Sequence, residues 1–222
     1  MLRPGRRVGL AVEMPEGRNW VRIGKDRWNH NIHYGLEALD LVPATATDAL
    51  DVGCGDGWMV RQLSYRVPHV VGLDSDEASI SLARGFASHA AVEYVQGDLL
   101  TYGIEPSSFD FITCIAALHH MDEQAGMRRM AGLLRPGGTL AIVGLARSRL
   151  PVDLRWELAG AIATRAHMVT KRYWETPAPK LWPPPHSYTE IRQLAANLLP
   201  GCRFRRRALW RYVLIWTKPP LT

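Results

Sequence analysis

Residues 49–58 read ALDVGCGDGW. A short, mostly apolar run ends here and reads as a strand. Gly53, Gly55 and Gly57 then supply a turn that glycine makes without strain, and WMVRQLSY (58–65) resumes in a helical pattern. A strand that ends in Gly-x-Gly-x-Gly and opens a helix brings a ligand close to the backbone at the head of a doubly wound sheet. The unusual feature is the company the glycines keep, because Asp51, Asp56 and Trp58 crowd the same few positions.

Outward from this turn, short apolar runs alternate with helix-length amphipathic segments from about 47 to 145, the pattern of βαβ units and a parallel sheet. Strands are expected at 48–53, 69–74, 92–97, 109–116 and 139–145, and helices at 58–65, 76–89 and 122–134. Asp76 and Asp122 are plausible N-caps, and Pro136-Gly137-Gly138 marks a stop and turn before the next strand. Ahead of the sheet, RWNHNIHYGLEALDLVP (27–43) reads as a helix leading in. Beyond the core, a helical segment near 150–168 runs into TPAPKLWPPPHSYTE, whose prolines forbid continuous helix or central strand. Ser187 or Thr189 caps a helix over IRQLAANLL, and CRFRRRAL with WRYVLIWT forms a terminal hairpin.

The whole is expected to be one domain: a basic segment and lid helix (1–46), a ligand-binding core (47–145), a substrate cap (146–187), and a last helix with the hairpin (188–222). At 222 residues, with 47% hydrophobic and 22% charged, the chain is an ordinary globular sequence with room for a sizeable core. No apolar run reaches the roughly 18 residues of a membrane span, and VGLAV (8–12) is too brief for a secretory leader, so the expected location is the cytoplasm. Cys54, Cys114 and Cys202 are odd in number and form no CxxC pair, which supports neither a disulfide framework nor a zinc ribbon.

Charge is unevenly spread. Residues 1–27 carry 7 Lys/Arg against 3 Asp/Glu, residues 28–145 carry 6 against 14, and residues 146–222 carry 14 against 4. An acidic core between basic ends suggests different tasks for the two. Arg203, Arg205 and Arg207 fall on one face of a strand, which suits a solvated face and, less well, nucleic acid.

Trp58 stands where a dinucleotide site has its third glycine, and Asp51 and Asp56 repel a pyrophosphate. A phosphate-free, cationic nucleoside removes both objections. S-adenosylmethionine carries an ammonium, a sulfonium and a ribose diol, each of which a carboxylate can hold. Asp74 ends the second strand about twenty residues after the turn, where an acid grips ribose hydroxyls. Asp98 follows the third strand, where a carboxylate can accept from an adenine amino group beside Leu99.

With LDVGCGDG, VVGLDSD, QGDL, FDFITCIAALHHMD and LLRPGGTLAIV in order, residues 48–145 resemble the class I S-adenosylmethionine-dependent methyltransferases. The similarity is to the ubiquinone-biosynthesis-like branch known as methyltransferase type 11. LLPGCRFRRRALWRYVLIWTKP and RWNHNIHYG are similar to its small actinobacterial-type members. The resemblance implies an α/β, Rossmann-like, seven-stranded sheet, mostly parallel with the last strand antiparallel. Helices flank it, with a helical lead-in at the N-terminus and a helical, proline-rich cap inserted before the sixth strand. It also implies that Asp51, Gly53 and Gly55 meet the methionine part of the donor, Asp74 and Ser75 the ribose, and Asp98 and Leu99 the adenine. Ile115 to His120, with Ala116, would lie over the transferring methyl.

Methyl transfer is an in-line displacement at an activated carbon, so proximity and alignment carry most of the catalysis. A base is needed only where the acceptor loses a proton, and His119 and His120 are the candidates. Tyr34 is expected on the cofactor side. Trp28, His33, Trp156, Tyr173 and Trp174 are candidate substrate contacts, with Trp182 and Tyr188 in the same aromatic segment. Ordinary packing is the alternative for each. His30 and His33 lack an acidic or cysteine partner at ligand spacing, so no metal is expected. The expected activity is transfer to an oxygen, nitrogen or carbon of a small, aromatic or apolar metabolite, as in small-molecule or natural-product biosynthesis, with S-adenosylhomocysteine as product. RNA or peptide methylation through the basic ends, and a cofactor-binding module without turnover, are the alternatives.

Overall fold

A computed structural model describes residues 28–86, 91–171, 173 and 181–220. Its elements run α1 (His30–Leu39), β1 (Asp48–Val52), α2 (Trp58–Leu63), β2 (His69–Asp74), α3 (Glu77–Gly85), β3 (Val92–Gln96), β4 (Phe109–Ile115) and a 3-10 turn (Leu118–His120). Then follow α4 (Glu123–Leu133), β5 (Leu134–Gly144), α5 (Leu154–Thr170), α6 (Tyr188–Leu198), β6 (Arg203–Arg207) and β7 (Arg211–Thr217). The seven strands form one sheet in the order β3-β2-β1-β4-β5-β7-β6. β1 to β5 pair in parallel, and β7 lies antiparallel between β5 and β6.

Every residue of β1 is buried, as expected of the central strand of a sheet covered on both faces. One core, around Leu50, Ile112, Leu140 and Leu214, packs α4 and α6 on one face. The other, around Ala49, Phe111, Val143 and Val213, packs α1, α2 and α3 on the opposite face. Fully burying each such aliphatic side chain contributes roughly 1.5–3 kcal/mol. Below β1 and β4, Arg135 donates to both Asp48 and Asp110 at 2.8 Å, so two strand-start carboxylates share one cation.

The caps act as the sequence predicts: Asp76 accepts from Ser79 N and Asp122 from Ala125 N, each at 2.8 Å. At α6 it is Ser187 that caps, in a reciprocal box with Glu190. One expectation fails locally. Pro136-Gly137-Gly138 does not precede the fifth strand but lies inside it, and the pairing slips between Phe109↔Leu134 and Phe111↔Thr139. Gly137 takes φ +80, the irregularity that absorbs the slip.

Candidate functional site

Strand order reverses between β1 and β4, and at the carboxyl ends of these strands the chain encloses a cavity of about 400 Å³, ordinary for a small-molecule site. The glycine turn forms its floor. Gly53 sits at φ +68 with the Ala117 Cβ only 2.2 Å from where its own Cβ would be, so any side chain there collides. Gly55, at φ +53, has nothing within 4 Å and opens to the cavity. Its N–H donates to Asp74 Oδ2 at 2.8 Å, and Asp76 N donates to Asp74 Oδ1 at 2.9 Å, so β2's last carboxylate is fixed from both sides.

Asp51 is 2% exposed and accepts from the Thr113 hydroxyl at 2.7 Å. Burial, with Asp74 and Asp56 nearby, pushes its carboxyl up to about 7 against the relief of the Thr113 bond. Such a group gains most from a cationic ligand. Five carboxylates (Asp51, Asp56, Asp74, Asp76 and Asp98) line the cavity, and among the described lining residues there is no lysine or arginine. This donor set fits an ammonium, a sulfonium and a diol, and opposes a pyrophosphate.

Of the residues singled out from the sequence, Asp51, Gly53, Gly55, Asp74, Ser75, Asp98, Leu99, Ala116 and His120 all line this one cavity. Ala116 holds φ +54, uncommon for a residue with a Cβ, directly over the space that the glycines open. His119 does not line it. It is 5% exposed, packs its ring 4.2 Å from that of His120, and is lowered to about 4 chiefly by burial. Of the pair only His120 lines the cavity, with the His119 ring packed against it and buried.

The aromatic candidates lie elsewhere. Tyr34 turns away from the cavity, and its hydroxyl donates to the carbonyl of Ala208 at 2.9 Å. Trp28 is 1% exposed and His33 packs beside it, in a cluster with His30, His167 and Tyr173 that seats α5 on α1. Trp156 lies beneath the guanidinium groups of Arg155 and Arg206. Trp182 is 67% exposed, Tyr188 is buried under Arg206, and Trp174 falls outside the described residues. Trp28, Trp156, Tyr173 and Tyr188 pack against α1, α5 and the terminal hairpin, and none of these described rings lines the cavity.

The α1 residues that do reach it are Asn29, Asn31 and Ile32. Asn29 caps α1, accepting from Ile32 N at 2.7 Å. An asparagine just before a helical run is a legible cap signal, but nothing in the sequence marks its second duty at a cavity. Of the basic strand, Arg203 and Arg205 are exposed, while Arg206 pairs with Asp153 and Arg207 with Glu37.

Residues 50–142 match the family model described as methyltransferase domain. The chain is 36% identical over 193 residues to an uncharacterized methyltransferase of Mycobacterium bovis, covering 86% of this chain and 98% of the relative. It is 33% identical over 119 residues to the ubiquinone biosynthesis O-methyltransferase of Marinobacter nauticus, covering 51% and 49% of the two chains. A solved Haloferax volcanii complex of a methyltransferase with its Trm112 activator shares the fold at a TM-score of 0.60 and 16% identity, over 84% of this chain and 90% of that one. The chain belongs to the S-adenosylmethionine-dependent methyltransferases of class I.

Proposed function

We propose that this methyltransferase uses the acid-lined cavity to hold S-adenosylmethionine and moves its methyl group to an oxygen, nitrogen or carbon of a small organic acceptor by in-line displacement. The observation that carries this reading is the lining itself: five carboxylates and no described cation around a glycine turn open at Gly55. Asp51 takes the ammonium end, Asp74 the ribose diol and Asp98 the adenine amino group beside Leu99. When bound, the donor supplies a methyl carbon already activated by the adjacent sulfonium.

The protein's own contribution is to align and to exclude water. Ala116 and Ala117 press the glycine turn from above, and Ile115, Leu99 and Leu73 make apolar walls. Positioning of this kind is worth up to roughly 7–11 kcal/mol in favourable cases. His120 lines the cavity, and burial lowers its pKa, so near neutral pH it is an uncharged imidazole able to accept a proton or orient an acceptor.

The test is incubation with labelled S-adenosylmethionine and a fractionated host extract, followed by mass spectrometry for products one methyl heavier. Small-molecule products support the reading. Products confined to RNA or peptide fractions, with binding that falls steeply with salt, overturn it in favour of a macromolecular substrate. Donor binding with no S-adenosylhomocysteine released from any acceptor favours a regulatory module.

A further inference from the structure

We propose that Arg211 anchors an acidic group of the methyl acceptor, and that the acceptor is therefore a small organic anion, a carboxylate or an ionised phenol. This rests on the cavity's being the donor site. Arg211 opens β7 and is only 8% exposed. Its Nε and Nη2 both donate to Asn31 Oδ1, at 3.0 and 2.7 Å, and its Nη1 donates to the carbonyls of Leu209 at 3.4 Å and Trp210 at 3.2 Å. All of these acceptors are neutral. Among the described residues no carboxylate pairs with Arg211, whereas Arg135 has two and Arg206 and Arg207 one each. A buried charge without a counter-charge is costly, and it is retained where a ligand supplies the missing sign.

The surroundings fit an anion. The Tyr188 hydroxyl and His119 Nδ1 are buried without a partner among the described residues; Tyr188 feels the charge of Arg206 and then of Arg211, and His119 that of His120 and then of Arg211. Counting five N–H donors on a guanidinium, the four bonds above leave one on Nη2, next to Asn31. Asn31 spends its oxygen on Arg211, which frees its amide N–H groups for the cavity that it lines. His119 in turn backs His120, another lining residue. The cluster therefore meets the cavity at two points. Arg211, Tyr188 and His119 do not line the cavity themselves; Arg211 and His119 lie one contact behind Asn31 and His120, which do. The turn that delivers Arg211 holds Leu209 and Trp210 at φ 58 and 54, a conformation bulky residues rarely adopt and one that recurs where function imposes it.

The test titrates the protein saturated with S-adenosylhomocysteine against benzoate and 4-nitrophenolate, and against their neutral counterparts benzamide and phenol, by ligand-observed NMR at pH 8. Expected is binding of the anions about tenfold or more tighter than the neutral partners, the span of a charge-assisted hydrogen bond. Arg211→Met should erase that preference, and Arg211→Lys should keep part of it. Removal of an unpaired buried charge should leave the Tm of the Met variant unchanged or raised. Benzamide binding as well as benzoate overturns the proposal. So does a Met variant with a lowered Tm and unaltered benzoate affinity, the signature of an arginine that merely clasps the turn. Should the Met variant not fold, Tyr188→Phe and His119→Gln decide: unaltered benzoate affinity in both also overturns it. Loss of S-adenosylhomocysteine binding in the unaltered protein counts instead against the donor-site reading.

Discussion

Asp51→Asn separates electrostatics from architecture at the glycine turn. The asparagine keeps an oxygen for the Thr113 hydroxyl and never ionises. Asp51 sits at about 7 in the folded chain against 3.8 for an ordinary aspartate. At 1.36 kcal/mol per pH unit that difference corresponds to about 4 kcal/mol. The sign follows from the upward direction. Well below pH 3.8 the group is neutral in both states and costs nothing. As pH rises toward 7 the unfolded chain ionises first and the ligand-free fold loses relative stability. Urea denaturation should therefore find Asp51→Asn more stable than the unaltered protein by up to about 4 kcal/mol at pH 8, with the gap closing as pH falls below 3.8. Cofactor affinity should move the opposite way. Losing a charge-assisted bond costs about 1.5–3 kcal/mol, so calorimetry at pH 8 should show S-adenosylmethionine binding weakened roughly tenfold to 150-fold. In the unaltered protein affinity should climb by up to about tenfold per pH unit until pH 7 and then level off, because only the ionised carboxylate meets the ammonium. The difference between the two proteins' curves removes the donor's own amine from the comparison. If the variant is less stable at pH 8, or if both proteins share one pH profile of affinity, the assignment of Asp51 as a burdened, ligand-facing carboxylate is wrong.

Further perturbations separate local geometry from ligand contact. Asp74→Ala releases the N–H groups of Gly55 and Asp76, and S-adenosylhomocysteine should bind at least about tenfold more weakly in calorimetry. Unchanged affinity contradicts the ribose assignment. Gly53→Ala drives a Cβ to 2.2 Å from that of Ala117 at φ +68, and thermal denaturation should show a loss of about 2 kcal/mol or more. Gly55→Ala meets no atom within 4 Å at φ +53, so it should cost only about 1–2 kcal/mol in stability while narrowing the cavity enough to weaken donor binding. Ser187→Ala removes one half of the α6 capping box, and Tm should fall by an amount equivalent to about 1 kcal/mol with donor affinity unchanged.

Residues whose positions follow from the backbone were legible before the structure. Asp51, Gly53, Gly55, Asp74, Asp98 and Leu99 sit at strand ends or in the turns just after them, and in a parallel sheet all strand ends of one kind gather at one edge. Knowing the strands was enough to bring them together. Tyr34 and His119 show the limit of that logic. Helical periodicity says that α1 has a buried face, but not that Tyr34 meets the hairpin at Ala208 while Asn31 and Ile32 meet the cavity. The two histidines are neighbours in sequence, and only the direction of the 3-10 turn decides that His120 reaches the cavity while His119 lies behind it.

By itself, then, the sequence determined the sheet, its antiparallel close and the gathering of glycines and acids at one edge, because short apolar strand runs, glycine turns and strand-end acids are local in the chain. Only tertiary structure brought together the residues proposed for the acceptor side. Arg211 is separated by 180 residues from the Asn31 it grips, and its lack of a carboxylate partner among the described residues is a property of packing that no spacing encodes. Trp156, Tyr173 and Tyr188 read as pocket residues in the sequence, whereas the structure packs them against their neighbours and leaves Trp182 exposed. Apolar surface is buried wherever it finds a partner, and here the partners were α1 and the terminal hairpin.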